Sequence, residues 1–278
     1  MGNTAVRRRH AGFAAGLATL AMMSGVALAP AQAVDKTKYI ALGDSYAAGQ
    51  GAGPYLDSCY RSDNTYSELA DEAKAINLVV NEACSGATTQ IVVESQLDEL
   101  NKSTDLVTIT AGGNNIGFGS IVTYCGALAF GDTRAAEACA AATAYAEAQL
   151  SGPLYDDLVA MIKAVQDAAP NADIVVTGYP YLFDPIPPGA TDALSLFIYQ
   201  ATDLADSLNA TIEAAALATK AEYVDVADDF AGHGVNSATG DPWINLDLTK
   251  PLSPENFHPN AEGYETYFTA IYSEGFYN

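Results

Sequence analysis

The chain has 278 residues, with 34 acidic side chains against 12 lysines and arginines and a formal net charge of −22 at pH 7. Nothing so acidic is built to hold nucleic acid or anionic lipid by bulk electrostatics. The charges lie scattered among well-formed apolar runs, which excludes a disordered acidic tail and reads as the solvated surface of a folded protein.

Residues 1–33 have the layout of a secretory leader. Arg7, Arg8 and Arg9 form a basic start, Ala11 to Ala29 is apolar, and Ala31-Gln32-Ala33 has the small-x-small form of a signal-peptidase site. The apolar run approaches the length of a membrane span. Gly16, Ser24, Gly25 and Pro30 interrupt it, and it is rich in alanine, which favours cleavage over anchoring. The expected mature chain is residues 34–278, a single secreted domain with no stable membrane span and, without the three arginines, a formal charge of −25.

The first strand is Tyr39 to Leu42, ending at Gly43-Asp44-Ser45. Thr65 to Ile76 spaces Leu69, Ala73 and Ile76 on one helical face, with Thr65 and Glu68 in capping-box positions. Leu78 to Val80 reads as a second strand and Asp105 to Thr110 as a third, stopped by Gly112-Gly113. Leu154 to Ala169 places Leu158, Met161, Ile162 and Val165 on one helical face before Pro170. Asp173 to Thr177 is a fourth strand. A long helix follows over Asp192 to Lys220, then a strand over Glu222 to Val226, a polar loop region, and a last helix from about Ala261.

Apolar strands separated by helices imply a parallel sheet covered on both faces. The predicted fold class is α/β, a three-layer α/β/α sandwich with a central parallel sheet of about five strands. Ligands bind such sheets beyond the carboxyl ends of the strands. Ser45, the loop around Gly86, and Gly112 to Asn115 all fall at strand exits.

A serine hydroxyl needs a neighbouring base before it becomes a nucleophile. Of three histidines, His10 lies in the leader, His233 sits between glycines, and His258 directly precedes a proline and the last helix. Acyl transfer also needs donors aimed at the developing oxyanion. Ala83-Cys84-Ser85-Gly86-Ala87 offers the Gly86 N–H, and Gly112-Gly113-Asn114-Asn115 offers the Asn114 carboxamide; either segment standing alone reads as a plain glycine turn.

Cys59, Cys84, Cys125 and Cys139 are even in number and follow an export leader, which favours disulfides. Three connectivities are open, and sequence order does not choose among them. The expected pairing is Cys59 with Cys84 and Cys125 with Cys139, each closing a modest loop worth roughly 3 kcal/mol. No C-x-x-C pair suggests zinc. Asp225, Asp228 and Asp229 fit no calcium loop, and Asn209-Ala210-Thr211 matches a glycosylation sequon inside a helical pattern, where chance is the better account. Leu194, Ile198, Leu204 and Leu208 form an apolar helical stripe that reads as core.

The order GDSYAAG, ACSGA, GGNN, FHPN closely resembles the GDSL, or SGNH, hydrolases, and within them the secreted actinobacterial lipases and phospholipases A1. The likeness runs from Tyr39 to about Tyr264 and includes the cysteine placement. It implies a flavodoxin-like fold, no cofactor and no metal, and an acyl-enzyme mechanism. Ser45 corresponds to the nucleophile and first oxyanion donor, Gly86 and Asn114 to the other donors, His258 to the general base, and Asp44 to a residue fixing the turn. The third block ends in Asn115 where the family usually has Asp. The acid position of Asp-x-x-His holds Glu255, which is the expected partner of His258 unless a main-chain carbonyl fills that role, as in some similar enzymes. A third disulfide common in those relatives is missing. The expected function is a monomeric secreted serine esterase or lipase acting on an ester substrate. The rivals are a carbohydrate O-acetylesterase and a noncatalytic envelope-binding module.

Overall fold

The structure is a computed structural model that describes residues 35–278; the expected leader and its cleavage site lie outside the described residues. Five parallel strands form one sheet in the order β2-β1-β3-β4-β5: β1 Thr37–Gly43, β2 Ile76–Asn81, β3 Leu106–Thr110, β4 Asp173–Thr177 and β5 Glu222–Val224. The strand order reverses between β1 and β3, so their carboxyl ends flank the crevice where such sheets take ligands. β1 exits into Asp44-Ser45 and β3 into Gly112 to Asn115.

Among the described residues nine α-helical segments accompany the sheet: α1 Ser45–Ala48, α2 Tyr66–Asp71, α3 Thr89–Ser95, α4 Phe118–Ser120, α5 Gly126–Ala129, α6 Ala136–Leu150, α7 Pro153–Ala168, α8 Ala193–Thr219 and α9 Ala261–Ser273. α2 packs on α9, while α7 packs between α3 and α8. With right-handed crossovers, this puts helices on both faces of the sheet and gives the three layers expected from the sequence.

The helices begin and end for local reasons. α7 has Pro153 in its first turn, where no N–H is needed, and it buries Leu154, Leu158, Met161, Ile162 and Val165. Asp192 caps α8 by accepting from the Ser195 N–H at 3.0 Å, and Asn260 caps α9 by accepting from the Gly263 N–H at 3.0 Å. Five tyrosines, Tyr39, Tyr66, Tyr264, Tyr267 and Tyr277, are fully buried. Each hydroxyl has a partner: Tyr39 meets Thr108 and Tyr277, Tyr66 meets Thr110, Tyr264 donates to the Gln50 carbonyl and Tyr267 to the Gly178 carbonyl. Burial of so many hydroxyls is tolerable only because all are paired.

Three expectations need correction. The helix expected over Thr65 to Ile76 stops at Asp71, and Ile76 instead opens β2, fully buried and paired with Thr37. The capping box does not form: Thr65 accepts no cap bond, and its hydroxyl donates away from the helix to the Ala47 carbonyl at 3.2 Å. The Asp71 carboxylate accepts from the Leu78 N–H at 2.7 Å, which turns the chain into the strand. Finally, β5 ends at Val224, two residues short of the expected end. Among the described residues no helix is long and apolar enough to cross a membrane.

Candidate active site

At the exit of β1, a Cβ on Gly43 would stand 2.1 Å from the Thr110 carbonyl oxygen, so only glycine lets β1 and β3 close up there. Asp44 follows; its N–H donates to the Thr110 carbonyl at 2.9 Å, and its Oδ1 accepts from the Tyr46 N–H at 2.9 Å. That capped turn presents Ser45 as the first residue of α1.

The imidazole comes from the other end of the chain. His258 Nε2 lies 2.9 Å from Ser45 Oγ, and Nδ1 lies 3.0 Å from the main-chain carbonyl of Asn256. A carbonyl only accepts, so Nδ1 carries the proton and Nε2 offers its lone pair to the serine hydroxyl. Burial pushes the His258 pKa down to about 4, against the opposing pull of the Asn256 and Pro254 carbonyls. The ring is therefore neutral at pH 7, as a base must be.

The histidine loop is held by Asn245, which exchanges main-chain bonds with Phe257 and His258 at 2.7 and 2.9 Å. The loop reaches Ser45 because Gly51 has no side chain; a Cβ there would stand 2.2 Å from the Pro259 carbonyl oxygen and 2.9 Å from His258 Cβ. Tyr46 donates to the Phe257 carbonyl at 2.7 Å and ties the serine turn to the same loop.

The Glu255 expectation is corrected. Its carboxylate is exposed and accepts from the Ser253 hydroxyl at 3.2 Å, while the imidazole faces Asn256. A main-chain carbonyl, fixed by backbone geometry, orients the ring without a second charge to desolvate. His233 stacks on Trp243 with ring centroids 3.4 Å apart and its Nδ1 2.8 Å from the Asp241 carbonyl.

Asn114 spends one carboxamide hydrogen on the Ala87 carbonyl at 2.9 Å, and this fixes the side chain and leaves the second hydrogen free. The same bond joins the Asn114 turn to the Gly86 loop, and the Cys84 N–H joins that loop to the Gly43 carbonyl at 3.0 Å. Among the described residues the N–H groups of Gly86 and Ser45 meet no protein acceptor. Asn115 bonds Thr89 through both its oxygen (3.0 Å) and its nitrogen (2.8 Å), so the amide that replaces the family's usual Asp anchors the turn to α3.

Both cysteine pairs form as expected, Cys59–Cys84 and Cys125–Cys139. The first links the Gly86 loop to the segment around Tyr60. The second ties α6 to the helical turns between Phe118 and Ala129. Those turns, with α8, wall a narrow apolar slot opening beside Ser45 and Asn114, about 50 Å³ of water-sized space lined by Ile116, Ile121, Phe197, Leu204 and Leu208. Of the stripe read as core, Ile198 and Leu208 are buried in the core and Leu204 packs against it, and Leu204 and Leu208 also line this slot; Leu194, expected in the core, is instead exposed. Across Val122 lies a wider apolar groove of about 540 Å³ bounded by Phe130, Leu248, Leu252 and Phe257. Sequence reasoning also missed Tyr179, which lines the slot and reaches Asp44. Among the described residues no group of three or more ligating side chains could hold a metal ion.

A doubly wound parallel sheet carrying a serine–imidazole contact at its carboxyl edge, with unpaired amide donors close by, is the plan of an acyl hydrolase. A model of the GDSL-like lipase/acylhydrolase family matches residues 41–266, and the chain belongs to that family. It is a carboxylic-ester hydrolase by that membership. It is similar to a lipase of Streptomyces rimosus, 35% identical over 250 residues and covering 88% of each chain. It is likewise similar to Lipase 1 of Streptomyces coelicolor, 35% identical over 268 residues, covering 92% of this chain and 94% of that one. Among solved structures, the extracellular lipase of Streptomyces rimosus superimposes with a TM-score of 0.75 at 34% identity, over 85% of this chain and 99% of that one. The phospholipase A1 of Streptomyces albidoflavus gives 0.74 at 32%, over 86% and 100%.

Proposed function

We propose that this chain is an exported, monomeric serine esterase acting on lipids, with Ser45 as nucleophile and His258 as general base. The observation that carries the reading is the 2.9 Å contact between His258 Nε2 and Ser45 Oγ at the mouth of an apolar slot. His258 takes the hydroxyl proton as Oγ attacks the ester carbonyl. The resulting oxyanion faces the N–H groups of Ser45 and Gly86 and the free Asn114 amide hydrogen. The imidazolium, steadied by the Asn256 carbonyl, then protonates the leaving alkoxide, and an acyl-Ser45 ester remains. Water, deprotonated by the same ring, releases the acid.

The lipid preference follows from the walls. Beyond the reacting centre the slot offers aliphatic and aromatic side chains, and the groove past Val122 offers further apolar surface to the rest of a lipid. An acetyl group would leave most of this uncovered, and a polysaccharide would find few polar partners in it. Export rests on residues 1–33 and on the similarity to the extracellular lipase of Streptomyces rimosus.

The test is a panel of aryl esters, triglycerides and phospholipids given to residues 34–278 and to its Ser45→Ala variant. Medium or long acyl chains should be hydrolysed with higher kcat/KM than acetyl, and Ser45→Ala should be inert toward all. A preference for acetylated glycans would favour the rival deacetylase and sink the lipid assignment.

A further inference from the structure

Resting on the roles proposed for Ser45 and Asn114, the structure carries one more residue into the reaction. Tyr179, in the loop after β4, is 7% exposed. Its hydroxyl lies 2.6 Å from Asp44 Oδ2 and 3.1 Å from the Gly113 nitrogen. An N–H only donates, so the hydroxyl accepts from Gly113 and its own proton goes to Asp44. One oxygen atom thus joins the residue before the nucleophile to the residue before the oxyanion amide. We propose that Tyr179 is a positioning residue for ester hydrolysis, holding the Ser45 turn and the Gly113-Asn114 turn in one register.

Two observations support this over a purely structural role. Capping the turn needs one side-chain oxygen, and Oδ1 does that work on the Tyr46 N–H; Ser or Asn caps such turns as well. Asp44 is nevertheless a buried carboxylate, 1% exposed, and among the described residues it forms no ion pair. Burying a carboxylate without a cation is costly, and its second oxygen is used only by Tyr179. The bridge also continues past Asp44. The Tyr46 ring meets that of Tyr179 edge-on at 5.1 Å, and its hydroxyl holds the Phe257 carbonyl next to His258. All three arms of the site converge on this tyrosine pair.

The test measures kcat and KM on p-nitrophenyl octanoate for the wild type, Tyr179→Phe, Asn114→Ala and the double variant. Tyr179→Phe keeps the ring that lines the slot, so KM should stay within about threefold while kcat falls roughly tenfold to a hundredfold, less than deletion of an oxyanion donor costs. In the Asn114→Ala background the same change should cost less than about threefold, because the donor that Tyr179 aligns is gone. An unchanged kcat in Tyr179→Phe, or losses that multiply in the double variant, would overturn the proposal. Should Tyr179→Phe not fold, Asp44→Asn reads the same bridge: its amide donates where the carboxylate accepted, so kcat should fall by a similar factor with KM held, and a wild-type kcat would overturn the proposal. A folded wild type without hydrolysis overturns both this proposal and the assignment of Ser45, whereas an active wild type beside an equally active Tyr179→Phe overturns this one alone.

Discussion

His258 turns its Nδ1 to the main-chain carbonyl of Asn256 at 3.0 Å, two residues back in its own loop. The ring is therefore oriented by a group that no side-chain substitution removes. Glu255, exposed and engaged with the Ser253 hydroxyl, has no share in that work. Glu255→Gln should keep kcat/KM within about twofold of wild type, whereas removal of a triad carboxylate that does orient its histidine costs about 10⁴-fold. Steady-state hydrolysis of one aryl ester decides between the two.

The pH dependence of kcat should show two acid limbs with different owners. Burial raises the Asp44 carboxyl to about 7, opposed by the Tyr179 hydroxyl and the Tyr46 N–H, and burial lowers His258 to about 4. Tyr46, Tyr66, Tyr179 and Tyr264, the phenols near Asp44, are all raised above their ordinary value and stay neutral in this range. A proton on Asp44 has no acceptor, since both oxygens already face donors, and it would displace the Tyr179 proton. Activity should therefore rise as pH climbs through about 7, and what remains below that should vanish only toward pH 4 as the base is protonated. Asp44→Asn should lose the upper limb and sit on a lower, flat plateau down to about pH 5. An upper limb that persists unchanged in Asp44→Asn, or a wild-type profile flat from about pH 8 down to about 5, would contradict these assignments.

The sheet and the serine–histidine pair were legible in the sequence because both rest on local signals. β1 is a short apolar run cut by a glycine that nothing else can replace, and His258 is marked by the proline and helix cap that follow it. Ile76 misled because its spacing from Leu69 and Ala73 suits a helix, while its burial is earned in β2 against Thr37. α6 escaped notice because alanine recurs on every side of AEACAAATAYAEAQL and marks no face. Leu204 and Leu208 show the limit of periodicity, which identifies an inward face without saying that a cavity opens beside the core it packs on, and Leu194, at the start of the same stripe, is exposed. Tyr179 stands 135 residues from Asp44 and meets it because β3 lies between β1 and β4. No pattern along the chain encodes that distance.

The slot makes a prediction about acyl length. Ala201 lines it from α8, near Leu204 and Leu208. Ala201→Phe would place a ring where methylenes of the acyl chain are to lie. Decanoyl ester hydrolysis should then fall by at least about tenfold in kcat/KM, while acetyl ester hydrolysis stays within about threefold. Equal losses on both esters would place the acyl chain elsewhere.

The central claim is that the Ser45 hydroxyl is activated by His258. A fluorophosphonate reacts covalently with such a serine, and peptide mass spectrometry locates the adduct. The account predicts stoichiometric labelling at Ser45 in the wild type, none in Ser45→Ala, and labelling slowed by orders of magnitude in His258→Ala. A properly folded wild type that takes up no label, or takes it at another residue, would contradict it.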